Sequence, residues 1–152
     1  LGFFIIILQN SIINYLSVFG MTINIVLIYL VIISLYLDEL ESGIIGAILG
    51  LILDSSVGGI FGANALIFFA IAYMVSYIKD KVYKESPIMI FTIILGTTFI
   101  YCGISFLLAR VLYNVCTFTS IIKILIVPIL NSLVGILVYK IFKKPILRLE
   151  EE

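Results

Sequence analysis

Histidine and tryptophan are both missing from the 152 residues, and cysteine, proline and charge are scarce. Without histidine the chain lacks the commonest general base and metal ligand near neutral pH. Its two cysteines, Cys102 and Cys116, sit in or beside apolar segments, where they read as packing residues rather than as a disulfide. Only 12% of the residues are charged, and the formal net charge is zero. No nucleic-acid partner is expected of such a chain. Nowhere do a nucleophile, a base and oxyanion donors come together, so neither enzymatic activity nor a cofactor is expected.

What is abundant is hydrocarbon. Hydrophobic residues make up 63% of the chain, and the mean hydropathy is +1.32. A soluble domain is about 45–50% apolar and about 25% charged. The excess does not fit inside one core of this size, so the solvent must be lipid. The sequence predicts a single polytopic membrane domain over residues 1–152: an all-α bundle of six spans at about 1–17, 22–37, 42–57, 63–78, 87–108 and 121–142. Leu1 already lies in an apolar run, so the first span is expected to be short or partly truncated. With no basic segment before it and no small-residue cleavage pattern after it, it reads as a span and not a secretory signal. Pro87 suits a helix start, where an N–H has no internal partner, and Pro128 is expected to kink the last span.

One stretch organises the rest. Ser42, Gly46, Gly50 and Asp54 recur every fourth residue and share a helix face. Small residues at this spacing let membrane helices approach closely. The stripe ends in a carboxylate, which is costly in lipid unless it faces protein or water. Gly58, Gly59 and Gly62 then break the helix, and Asn64 is placed to cap the next one. Two spans of about sixteen residues reach only about 24 Å at 1.5 Å per residue. Bilayer hydrocarbon is ~30 Å thick, so the break is expected to dip below the membrane surface. Asp54 is expected first to hold the backbone of the break, second to touch a partner and last to carry a proton or ion. The small-residue stripe is expected first to serve internal packing.

Charge placement gives an orientation. Lys79, Lys81, Lys84, Lys140, Lys143, Lys144 and Arg148 fall on one side of a six-span chain, and only Arg110 and Lys123 on the other. The positive-inside rule then puts both termini and the Lys79–Lys84 loop in the cytoplasm. The loop reads as a topology signal that touches lipid headgroups.

The segments Leu8–Ser11, Tyr15–Gly20 and Asn24–Leu27, followed by G-x3-G-x3-D-x3-G-G-x2-G-x-N from Gly46 to Asn64, resemble the rod shape-determining protein MreD family. The likeness covers nearly the whole chain, and the glycine–aspartate pattern is its specific part. It implies a non-enzymatic subunit of the bacterial elongation machinery in the cytoplasmic membrane. The implied partners are MreC and, less directly, the actin-like MreB, the glycosyltransferase RodA and a penicillin-binding transpeptidase. It also implies a fold similar to the substrate-binding subunits of energy-coupling-factor vitamin transporters. Two functions follow as expectations: a scaffold that binds MreC, or a transporter subunit that holds a small ligand around Asp54 and Asn64. The first predicts a largely filled bundle, the second a pocket of convergent polar groups.

Overall fold

The structure, a computed structural model, describes residues 23–57, 60–82, 86–114 and 117–150. The expected span 1–17, together with Gly58, Gly59, Lys84 and Cys116, lies outside the described residues. The described residues form five α-helices: α1 (Ile25–Ser34), α2 (Glu39–Val57), α3 (Ala63–Ile78, continued by a tighter turn over Lys79–Lys81), α4 (Pro87–Tyr113) and α5 (Phe118–Glu150). No strand occurs among the described residues.

Helix α1 is the hub. It is short and apolar on every side, and Val26, Leu27, Ile28, Leu30 and Val31 are all fully buried. A helix without a polar face must be enclosed, and α1 touches each of the other four. Asn24 starts it, accepting the Leu27 N–H at 3.0 Å. The remaining helices form two antiparallel hairpins, α2 with α3 and α4 with α5, which carry the most extensive contacts in the fold.

Several boundaries differ from those expected. The span expected at 22–37 is helical only from Ile25 to Ser34, because the chain tightens through Leu35 and Tyr36 into a corner. Helix α2 begins at Glu39 and not at residue 42, taking Glu39 and Glu41 into its first turn. Carboxylates are favoured there by the helix dipole. Helix α4 runs to Tyr113 and stops at Asn114, whose φ of 51° is left-handed, a conformation asparagine tolerates better than most residues. Helix α5 starts at Phe118, passes through Pro128 and continues to Glu150, eight residues beyond the expected end.

Among the described residues, three segments are long and apolar enough to cross a membrane: Ala63–Lys81, Pro87–Tyr113 and Phe118–Ile141. Their outward faces are apolar too. Along α5, Ile121, Leu125, Ile129, Leu133, Leu137 and Ile141 recur every fourth residue, and all are exposed. In water such a stripe would drive aggregation; against lipid it is an ordinary surface.

Candidate functional site

The site is built at the turn between α2 and α3. A helix begins with N–H groups that have no partner within it, and at the start of α3 each one is accounted for. Gly62, at φ +95°, ends the break and precedes the helix, a conformation that favours glycine. Ala63 N–H donates to Ile60 O at 3.1 Å. The other three go to one side chain on the preceding helix. Asp54 Oδ2 accepts from Gly62 N at 2.9 Å and Ala65 N at 3.3 Å. Asp54 Oδ1 accepts from Asn64 N at 3.3 Å. The carboxylate is 5% exposed and faces the positive end of the α3 dipole.

Asn64 does not cap α3, contrary to expectation. It lies inside the first turn, with Asp54 already filling the capping position from across the hairpin. Its amide instead donates to Asp54 Oδ1 at 2.8 Å, and its Oδ1 accepts from the Tyr101 hydroxyl at 3.0 Å. A chain of hydrogen bonds therefore runs from α2 through α3 to α4.

The stripe preceding Asp54 faces α3. A β-carbon at Gly46 would lie 2.6 Å from Phe68 O, and one at Gly50 would lie 2.5 Å from Ala65 N. These neighbours are backbone atoms, so the approach requires glycine. Gly43 continues the same contact against the Phe69 ring. Ser42 is fully buried, and its Oγ has no hydrogen-bond partner. Asp54, Gly62 and Asn64 thus come together, with Gly50 and Gly46 one and two turns below them.

The basic residues do something else. Lys79 donates to Leu37 O at 2.8 Å and pairs with Asp38 at 3.0 Å, while Ser76 Oγ donates to the same carbonyl at 2.6 Å. Lys79 is thus a strut between the α1–α2 corner and the end of α3. Lys81 lies 5.6 Å from the centre of the Tyr77 ring.

A second polar cluster was not anticipated. Asn131 on α5, fully buried, accepts from Asn24 N at 3.1 Å and reaches Thr98 Oγ1 on α4 at 3.5 Å. An asparagine within the apolar 121–142 run was the visible signal. The pairing of Tyr101 with Asn64, 37 residues apart, left none. Beside this cluster lies a cavity of about 420 Å³ between α4, α5 and the residues just before α1, with Leu53 and Asn64 also lining it. A second, of about 250 Å³, adjoins it at Asn64, Tyr101 and Ser105 and reaches Asp54. Among the described residues no three His, Cys, Asp or Glu side chains gather as a metal site would need.

The model of the rod shape-determining protein MreD family matches residues 1–145. No curated protein and no solved structure matches the chain. Taken with the apolar helices, and with Asp54 and its glycines assembled at one turn, the match over nearly the full length means that the chain belongs to the rod shape-determining protein MreD family.

Proposed function

We propose that this chain acts as a membrane scaffold in rod-shape determination, binding MreC and so helping to couple MreB filaments to RodA and a penicillin-binding transpeptidase during peptidoglycan synthesis. The observation that supports this most is the use of Asp54. Its oxygens accept four hydrogen bonds from the start of α3 and Asn64. The carboxylate of the α2–α3 turn is therefore committed to shape, which favours a protein that works through its surfaces. On this reading the chain is one domain of six spans in the cytoplasmic membrane. Both termini are cytoplasmic, and the α2–α3 turn faces outward. Cells whose only copy is this chain should grow as rods, and MreC should co-purify with it. Round cells, with MreC missing from the purified fraction at normal protein level, would overturn the scaffold.

One observation favours a second reading, a ligand-binding subunit similar to those of energy-coupling-factor transporters. The larger cavity gathers Asn24, Asn64, Tyr101, Ser105 and Asn131, the convergent polar groups such a pocket needs. In that case an ATPase and its membrane coupling subunit should co-purify in place of MreC.

A further inference from the structure

The larger cavity has an electrostatic character that neither reading uses. Among the described residues, six neutral hydrogen-bonding side chains line it, and its one charged side chain is Lys123. Lys123 is exposed and forms no ion pair with any described residue. The nearest carboxylate of the site, Asp54, lines the adjoining cavity instead, and the N-terminus of α3 offsets its charge. The remaining wall is hydrocarbon, including Phe106, Ile124 and Val127. Helices α3, α4 and α5, which all contribute to its lining, contain candidate membrane spans. A ligand reaching the cavity from the membrane would need an apolar body, and the cavity would give its head one cation beside the hydroxyls of Tyr101 and Ser105.

We propose that this cavity binds the head of a phosphate-bearing amphiphile, with Lys123 pairing the phosphate and Tyr101 and Ser105 facing its other polar atoms. A volume of about 420 Å³ falls within the ~300–1,000 Å³ usual for small-ligand sites and suits a headgroup better than a whole lipid. The proposal concerns binding alone and needs neither the scaffold nor the transporter reading to hold.

The test uses the full chain purified in detergent, with thermal stability and native mass spectrometry as readouts. Three probes separate the sources: dihexanoyl phosphatidylglycerol, dihexanoylglycerol without a phosphate, and glycerol phosphate without tails. The lipid should bind saturably, one per chain, and raise the melting temperature, while the other two do not. Glycerol phosphate binding as tightly as the lipid would support the same site with a free phosphate ester as its source. Lys123→Gln should weaken lipid binding about tenfold, the worth of one charge-assisted contact, and Lys140→Gln should not. Ser105→Leu, which fills the cavity from a half-buried position, should abolish binding and leave the lipid-free melting temperature near that of the parent. Equal response to dihexanoylglycerol, unchanged binding by Lys123→Gln, or normal binding by Ser105→Leu would each overturn the proposal.

Discussion

The two hairpins solve the same packing problem in opposite ways. In α2–α3 the backbones themselves touch, because Gly46 and Gly50 present no side chain to Phe68 and Ala65, and Asp54 then ties the turn to the next helix. In α4–α5 the contact is made by side chains. A β-carbon at Gly135 would meet the Ile94 side chain, its flexible Cδ1 end nearest, and one at Gly96 or Gly103 would meet nothing within 4 Å. The larger cavity is lined mostly by α4 and α5, and the smaller lies between α4 and the turn of the first hairpin. The same residue type is thus a structural requirement in one hairpin and a vacancy in the other. Close backbone approach makes the first a fixed unit, while the second leaves room for something to enter.

The largest effect should come from cutting the tie. Asp54→Leu leaves the N–H groups of Gly62, Asn64 and Ala65 without their acceptor in a buried setting, at ~1–3 kcal/mol per group. Asp54→Asn keeps one acceptor oxygen and loses the other, so its loss should be intermediate. A neutral amide is also cheaper to bury than a carboxylate. Melting temperature and protein level in membranes should therefore rank parent, Asn, Leu, with rod shape following protein level. An Asn variant that is fully folded yet wholly inactive would mean that the carboxylate carries a role beyond holding α3.

Next comes the close approach. Gly50→Ala and Gly46→Ala force a methyl group into backbone atoms, and overpacking of this kind costs ~1–3 kcal/mol. Gly50 should be the more sensitive, since its neighbours are the helix start that Asp54 holds, so a shift there also strains the cap. Thermal unfolding in detergent compares the two directly. Parental stability in both would show that the hairpin can separate at no cost, and the contrast between the hairpins would fail.

Much of the first hairpin was legible because its signals are local. A four-residue period of small residues, a carboxylate at its end and clustered glycines all lie within one short stretch, and physics gives each a restricted set of uses. What could not be read was the partner of each side chain. Asn64 looked like a cap because asparagine commonly is one; the tertiary placement of Asp54 took that position and left the asparagine to bridge towards Tyr101. Lys79 looked like part of a basic patch, yet it holds the Leu37 carbonyl 42 residues away. The second hairpin gave fewer signals still, since its spacing is set by Ile, Leu and Val, which fill space without marking it. Even the boundaries followed this division. Helix α4 outran its expected end because only Asn114, in a rare conformation, stops it, whereas Pro87 announced its start.

The smallest predicted effect has the opposite sign. Gly103 lies inside α4, where glycine is about 1 kcal/mol less favourable than alanine for the helix. A β-carbon there would meet nothing within 4 Å. Gly103→Ala removes freedom from the unfolded chain without a collision in the folded one, a change that typically stabilises by ~0.4–1 kcal/mol. Gly96→Ala should behave alike, and the two should add, being almost two helical turns apart with no shared neighbour. The measurement is the melting temperature of both single variants and the double variant in the same detergent, beside Gly50→Ala. A rise for Gly96 and Gly103 with a fall for Gly50 would sharpen the contrast into a difference of sign. A fall at Gly103 would mean that its open side is occupied in the membrane by something that packs as closely as α3 packs on Gly50.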